Sequence, residues 1–325
     1  MNVVQGAVQA VVAAGGEPAA RMMERLESRL LDAASGHGEL LARHAGDTIA
    51  AGGKRLRPLL LFLAAGAPPP ESETLLRSAV AVELVHSATL VHDDVLDGSP
   101  LRRGRPTVMA AGGRLAATAT GDLLFSRAFA ELAHSRSADA VRVLSRASSE
   151  LAAGELMQRA DAWRAVSVER YLERCRLKTG VLFRAACELG ALEGDDRDRL
   201  PGLALFGERI GVAFQLLDDV LDVTGPPERT GKPRGADLLD GTVTLPLIAA
   251  RERDPALAAL DLRAVRTPQD AAEVSIRIAE TGSLEDTRAR ALELVAGAKA
   301  ELPDMPARQR SALELIADGV VERYS

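Results

Sequence analysis

The 325 residues are enough for a large core, and a hydrophobic share of 47% excludes a disordered chain. Aromatic residues make up only 3%, so the composition favours helices over strands. A net charge of −6 argues against the basic patch that a nucleic-acid-binding protein needs.

Helical periodicity runs along nearly the whole chain, and no alternating stretch of strand length stands out. Clusters of glycine and proline separate the periodic segments. We therefore predict a single all-α domain over residues 1–325, with a helical bundle around a central cavity. The predicted helices cover 18–33, 38–51, 56–66, 71–97, 106–134, 137–162, 167–191, 195–224, 241–251, 268–281, 283–302 and 306–323.

The two cysteines, Cys175 and Cys187, are predicted to be reduced thiols of the core. Twelve residues of helix separate them by about 18 Å, which is too far for a disulfide. No Lys or Arg precedes Arg21, which argues against a signal peptide. No apolar run approaches the length of a membrane span. A soluble cytoplasmic protein is expected.

The same five residues, DDVLD, occur twice, at 93–97 and 218–222, each time after an apolar run. Carboxylates at i and i+4 share one helical face, and burying them unpaired would be costly. Mg²⁺ removes that cost and takes its remaining ligands from water and phosphate oxygens. If the two helices face each other, one cavity holds six carboxylates: Asp93, Asp94, Asp97, Asp218, Asp219 and Asp222.

Basic residues provide the counterpart to these carboxylates. GGKRLRP at 52–58 places cations at a helix start, where anions bind, and Arg102-Arg103 follows the first aspartate motif. Lys178, Lys232 and His86 are further candidates. A single cation is more often a solvated surface residue, and a single histidine is more often satisfied in the fold. The clusters together favour a site for two diphosphates.

Two irregular stretches, 98–106 and 224–241, each begin just after an aspartate motif. Loops in these places are expected to close over whatever the aspartates bind. The alternative is that they are ordinary solvated turns.

Six segments in order resemble the trans-isoprenyl diphosphate synthase (polyprenyl synthetase) family. They are GGKRLRP, ELVHSATLVHDDVLDGSPLRRGRPT, GELMQ, YLERCRLKTG, FQLLDDVLDVTG and GKPRGADLLDGTVTLP. The resemblance covers residues 52–246 and continues more weakly through the C-terminal helices, 247–325. It implies an all-α homodimeric Mg²⁺-dependent prenyltransferase that condenses isopentenyl diphosphate with an allylic diphosphate (dimethylallyl, geranyl, farnesyl or geranylgeranyl).

The resemblance also implies roles for individual residues. Isopentenyl diphosphate would be held by Lys54, Arg57, His86 and Arg103. Roughly three Mg²⁺ ions would be held by Asp93, Asp94, Asp97 and Asp218, with Asp219 and Asp222 close by. The allylic diphosphate would be bound by Arg102, Lys178 and Lys232, with Thr179 and Gln215 near the developing cation. Two positions depart from the family pattern: Thr242 stands where many members have Lys, and Gly180 where Ala is common.

Small residues just before the first aspartate motif indicate a long product. Ala88 and Thr89 are one helical turn before Asp93, and Leu84 and Val85 are one turn earlier. Large aromatic residues there would stop growth at ten to fifteen carbons. We predict a tunnel and a product longer than fifteen carbons, with the tunnel floor near Leu144 or Ser148 on the 137–158 helix. A geranylgeranyl diphosphate synthase is the alternative.

Two other classes stay open at this point. A class I terpene cyclase also uses a DDxxD motif, but it has no use for a second such motif and the GGKRLRP cluster. A non-catalytic partner subunit of a heteromeric synthase typically lacks the aspartates, which are complete here.

Overall fold

The computed structural model of the chain describes residues 16–66, 71–135, 137–225 and 233–322. The helices are α1 (Glu17–Ala34), α2 (Glu39–Ala50), α3 (Leu56–Ala64), α4 (Glu73–Asp97), α5 (Val108–Ser135), α6 (Ala138–Asp161), α7 (Val168–Cys175), α8 (Val181–Glu193), α9 (Leu200–Thr224), α10 (Ala236–Leu239), α11 (Leu245–Arg253), α12 (Pro255–Ala259), α13 (Pro268–Glu280), α14 (Ser283–Ala300) and α15 (Ala307–Glu322). The predicted all-α class is confirmed.

A small β-hairpin follows α4 within the first of the two predicted irregular stretches. Strands β1 (Leu101–Arg102) and β2 (Arg105–Pro106) pair antiparallel. Arg103 and Gly104 between them both have positive φ, 53° and 74°, as a two-residue turn of this kind requires. The hairpin turns the chain back toward the end of α4.

Helix α4 carries the first aspartate motif, and its two ends are well defined. The Ser72 side chain accepts a hydrogen bond from the Leu75 amide at the start. Gly98 ends the helix with φ 61°, a left-handed conformation that glycine adopts without steric cost. Most of the helix between is buried, including all apolar residues from Ala79 to Val82. Its position is therefore set by packing on several sides.

Two predicted helices are interrupted in the structure. The segment predicted as one helix over 167–191 contains a π-helical turn, Arg176–Gly180, between α7 and α8. Helix α5 has a kink at Gly113, where φ is 78°. Both are local departures from regular α-helix inside segments that were predicted as continuous.

The contacts divide the chain into two compact units. The first unit comprises residues 1–148, 182–207 and 302–319, and the second comprises 149–181, 208–301 and 320–325. In the first unit α4 packs along α5 and also contacts α1, α2 and α3. In the second unit α11 packs against α14, and α13 contacts both of them. The first aspartate motif lies in the first unit and the second motif in the second.

Two helices, α4 and α9, are long and apolar enough to cross a membrane by length and composition alone. Most of the apolar 18-residue stretch of each helix is buried inside the protein, 72% for α4 and 56% for α9. Burial of this kind is what core helices show. The cysteines behave as predicted, because both are buried and free, and burial raises the pKa of each thiol.

Candidate active site

The hairpin brings a cation onto the first aspartate motif. Arg102 donates from Nε to Asp94 Oδ1 at 2.9 Å, and its Nη2 lies 2.8 Å from the same oxygen. Asp94 is buried, whereas Asp93 is half-buried and Asp97 is exposed. The three carboxylates of this motif therefore differ in environment: Asp94 is buried against Arg102, Asp93 is half-buried and Asp97 is exposed.

A cavity of about 300 Å³ opens beside this motif in the first unit. Cations and carboxylates share its wall. Its charged and imidazole side chains are His44, Asp47, Arg55, Glu83, His86, Asp94, Arg102, Arg103 and Arg105. An anion entering this cavity would meet several guanidinium groups at once, an arrangement that suits phosphate oxygens.

Arg55 looks like a phosphate ligand in GGKRLRP, but four hydrogen bonds within the protein already occupy most of its donors. It is buried, with its backbone in the left-handed region (φ 48°) at the start of α3. It donates to Glu27 at 2.7 and 3.1 Å, to Glu83 at 2.8 Å and to the Ile49 carbonyl at 3.0 Å. Burial works against its charge, but these carboxylates outweigh burial and raise its pKa. Arg55 is a fixed ion-pair partner in the wall.

Arg57, two residues later, is in a different situation. Its guanidinium carbon lies 4.6 Å from the centre of the Phe183 ring. Its Nε is buried and makes no hydrogen bond within the described residues. Burial lowers its pKa to about 10 against the attraction of Glu83, with Arg103 adding to the lowering. Arg57 therefore remains charged at neutral pH and keeps hydrogen-bonding capacity.

His86 is one of two predicted ligands of isopentenyl diphosphate that line the cavity; Arg103 is the other. The other two predicted ligands, Lys54 and Arg57, flank Arg55 in GGKRLRP but do not line the cavity. Burial and the positive charges of Arg57 and Arg103 hold the pKa of His86 well below its usual value. His86 is thus neutral at pH 7.

The second aspartate motif lies near the end of α9, where the middle carboxylate is the buried one. Asp218 and Asp222 are half-buried and Asp219 is buried. Tyr171 Oη donates to Asp219 Oδ2 at 2.6 Å, and Gln215 Nε2 donates to Asp219 Oδ1 at 2.8 Å. Burial, with Asp237 nearby, raises the pKa of Asp219 to about 8 against these two hydrogen bonds.

The π-helical turn presents Lys178 and Thr179. Thr179 Oγ1 donates to Gln215 Oε1 at 2.8 Å, and Lys178 Nζ donates to Glu155 Oε2 at 2.6 Å. The turn is closely packed, because a Cβ at Gly154 would lie 2.8 Å from the Lys178 amide nitrogen. π-turns inside helices are frequent at functional sites. Lys232, the other predicted cation on this side, lies outside the described residues.

The turn that contains Thr242 is held by backbone contacts. The Thr242 amide donates to the Asp237 carbonyl at 2.8 Å, and the Trp163 amide donates to the Gly241 carbonyl at 2.8 Å. A Cβ at Gly241 would fall 2.3 Å from the Trp163 ring. Only glycine is compatible with this contact.

The residues predicted to control product length are mostly core residues. Leu84, Val85 and Ala88 are fully buried. Thr89 is half-buried, and its hydroxyl donates to the His86 carbonyl at 2.8 Å. Their burial in α4 is compatible with a wall close to the aspartates.

Glu83, Tyr171 and Asp237 are among the charged or polar residues of these sites that have no role in the sequence analysis. Glu83 stands one helical turn before His86, and Tyr171 is the first residue of YLERCRLKTG. The sequence marks both only by placing them in segments that resemble the family. The structure was needed to show which residues they contact.

Mg²⁺ fits the oxygen donors found here. Across the described ranges, no three His, Cys, Asp or Glu side chains converge into a ready-made metal cage. Mg²⁺ rarely uses such a cage and is usually held by one or two carboxylates together with substrate phosphates. Carboxylates four residues apart that are at least partly exposed, Asp93 with Asp97 and Asp218 with Asp222, are a suitable donor set.

Comparisons with known proteins agree with one another. A family model described as "Polyprenyl synthetase" matches residues 39–280. Heptaprenyl diphosphate synthase component 2 of Geobacillus stearothermophilus is 43% identical over 227 residues, 69% of this chain and 70% of the relative. Geranylgeranyl diphosphate synthase of Methanosarcina mazei is 38% identical over 84% of this chain and 86% of the relative.

Solved structures give the same picture. A polyprenyl synthase from Caulobacter crescentus CB15, complexed with calcium and isoprenyl diphosphate, is 36% identical with a TM-score of 0.91. The likeness covers 98% of each chain. The family model and this structure both extend over the two aspartate motifs.

Proposed function

The chain belongs to the polyprenyl synthetase family, and from that premise we propose a Mg²⁺-dependent synthase that extends an allylic diphosphate with isopentenyl diphosphate beyond fifteen carbons. The observation that carries the proposal is the cavity of the first unit. It holds His86 and Arg103, expected for isopentenyl diphosphate, together with Asp94 of the first aspartate motif.

Isopentenyl diphosphate binds to the cations of the first unit. Arg57 and Arg103 remain charged and supply hydrogen bonds to the diphosphate oxygens, with Lys54 at the same helix start. His86, neutral in the free protein, donates one N–H. Arg55 takes no part, because Glu27, Glu83 and a backbone carbonyl use its donors.

The allylic diphosphate binds where the aspartates hold Mg²⁺. Asp93, Asp94, Asp97, Asp218 and Asp222 are the ligands we propose, with Asp219 close by. When bound, Mg²⁺ stabilises the charge that develops on the departing diphosphate. Arg102, Lys178 and Lys232 are the cationic residues that we propose for stabilising the same charge.

Ionisation leaves an allylic cation, which the double bond of isopentenyl diphosphate attacks. The protein holds the two reactants together. The oxygens of Thr179 and Gln215 provide partial negative charge near the cation. The new bond places a cation on the isopentenyl unit, loss of a proton restores a double bond, and the released diphosphate accepts the proton. Exclusion of water by the loops after each motif prevents quenching.

The direct test incubates the purified chain with labelled isopentenyl diphosphate and each allylic starter, with Mg²⁺ or with EDTA. We expect elongated diphosphates of more than fifteen carbons with Mg²⁺ and none with EDTA. Cyclic hydrocarbons would indicate a terpene cyclase. A product of twenty carbons would indicate geranylgeranyl synthesis, the activity named for the Methanosarcina relative. No product under any condition would contradict the proposal.

A second candidate is a synthase that needs another chain. The name of the Geobacillus relative, "component 2", favours it. In that case the purified chain would be inactive alone, and both aspartate motifs would still bind Mg²⁺ with diphosphate. Adding extract from the source organism would restore activity, and Asp93→Ala would abolish that restored activity.

We propose that the enzyme works as a homodimer in the cytoplasm. Leu115 on α5 is 84% exposed, more than any other large apolar side chain among the described residues. Covering such residues is a usual role of subunit interfaces. Light scattering of the purified chain measures the subunit number.

The side chain at position 88 is expected to limit the length of the product. We expect Ala88→Phe to shorten the main product to fifteen carbons or fewer, because the ring would close the path one turn before Asp93. Ala88 is fully buried, so the ring also costs about 1–3 kcal/mol of stability through overpacking. Chromatography of dephosphorylated products measures the length. Ala88→Ser, which keeps the side chain small, is the control, and an unchanged length in Ala88→Phe would show that the wall lies elsewhere.

A further inference from the structure

Four side chains of the second unit form a continuous hydrogen-bonded row, Tyr171–Asp219–Gln215–Thr179, hereafter the Tyr171 row. Tyr171 and Gln215 each donate to a different oxygen of Asp219, and Thr179 donates to Gln215. In this row the amide of Gln215 has its nitrogen toward Asp219 and its oxygen toward Thr179. Tyr171 and Thr179 are the two ends of this row.

Tyr171 is itself held rigidly. Its side chain is buried, with 1% exposed, and the guanidinium carbon of Arg174 lies 5.4 Å from the ring centre. Arg174 donates to the Val243 carbonyl, and its Nη1 lies 3.8 Å from Asp161 Oδ2. The hydroxyl thus has a fixed position from which to orient the carboxylate. Phenylalanine would fill the same space without this hydroxyl contact.

We propose that Tyr171 is a positioning residue of prenyl transfer. Its hydroxyl fixes the Asp219 carboxylate and, through it, the Gln215 amide and the Thr179 hydroxyl. The inference rests on the proposed function, which assigns Gln215 and Thr179 to the allylic substrate. It also predicts that Asp219, oriented by Tyr171, contributes to Mg²⁺ binding beside Asp218 and Asp222.

The test compares Tyr171→Phe with Thr287→Val. Thr287 is buried in the same unit and donates to the Ser283 carbonyl at 2.9 Å, away from the row. We expect Tyr171→Phe to lower kcat about 10–100-fold, the usual effect of losing a partner that orients a ligand. The KM for isopentenyl diphosphate should stay within about twofold, because its expected ligands lie in the other unit. Thr287→Val should leave both constants near wild type.

A second readout does not depend on turnover. Thermal unfolding is followed while Mg²⁺ is titrated in the presence of inorganic diphosphate, since a ligand that binds the folded state raises Tm. We expect Tyr171→Phe to need about tenfold more Mg²⁺ for half of the shift. On an Asp219→Asn background, Tyr171→Phe should raise this Mg²⁺ concentration by less than about twofold further, because the row is already broken.

The outcomes separate the inference from the proposed function. An inactive wild type overturns the proposed function, while the Mg²⁺ titration still tests Tyr171. An active wild type with Tyr171→Phe within about threefold in both readouts overturns the inference, as does full additivity with Asp219→Asn. Circular dichroism and the emission of Trp163, the one tryptophan of the chain, monitor folding. If Tyr171→Phe does not fold, Gln215→Met breaks the row from the other side and carries the same titration.

Discussion

Asp93→Ala should lower turnover by about 10²–10³-fold, the usual cost of removing one group that stabilises transition-state charge. Asp93 is half-buried on α4, and alanine is the strongest helix former, so the helix should be kept. The loss should fall on kcat, because the carboxylate acts through Mg²⁺ on the departing diphosphate. Steady-state kinetics with labelled isopentenyl diphosphate and saturating Mg²⁺ measure it.

Asp218→Ala tests the second motif in the same way and should give a loss of similar size. Asp286→Ala is the matched control, since Asp286 is a carboxylate of α14 that is 55% exposed and pairs with Arg253 at the surface. Near-normal turnover in Asp93→Ala or Asp218→Ala would show that the metal assignment is wrong for that motif.

Arg57→Met should raise the KM for isopentenyl diphosphate by about 100-fold, in the range found when one partner of a buried charged contact is removed. Methionine keeps much of the side-chain length and can still pack against Phe183. The kcat at saturating isopentenyl diphosphate should change much less, because the contact exists in both ground and transition states.

Arg57→Lys retains the charge and should recover part of the affinity, though not the forked geometry. Arg55→Met provides the contrast: Glu27 and Glu83 would lose their partner, so it should lower Tm first. If Arg57→Met bound isopentenyl diphosphate normally while Arg55→Met did not, the assignment of these two arginines would be reversed.

Much of the fold was predictable, because hydrophobic periodicity and glycine or proline punctuation are local signals. The all-α class, the free buried cysteines and the family resemblance are confirmed. The π-helical turn at Arg176–Gly180 could not be predicted in this way, since it depends on close packing at Gly154. The contacts divide the chain into two compact units, and the single domain stays a prediction.

The site was predictable as a set of segments but not as a set of contacts. Arg55 and Arg57 are two residues apart in one motif. Arg55 forms ion pairs with two carboxylates, whereas Arg57 Nε makes no hydrogen bond within the described residues. That difference arises from the left-handed backbone at Arg55 and from Glu27 on α1, which is 28 residues away. Tyr171 was overlooked for the same reason, because its partner Asp219 is 48 residues distant.

The π-helical turn has a consequence for how this segment can change over generations. In an uninterrupted α-helix, eight residues would leave Tyr171 and Thr179 about 80° apart around the axis. The wider turn reduces that angle, and both side chains reach residues of α9. Deletion of a single residue inside the turn would rotate one anchor away from the other. Descendants of this chain must therefore keep the length of the turn as well as Lys178 and Thr179 within it.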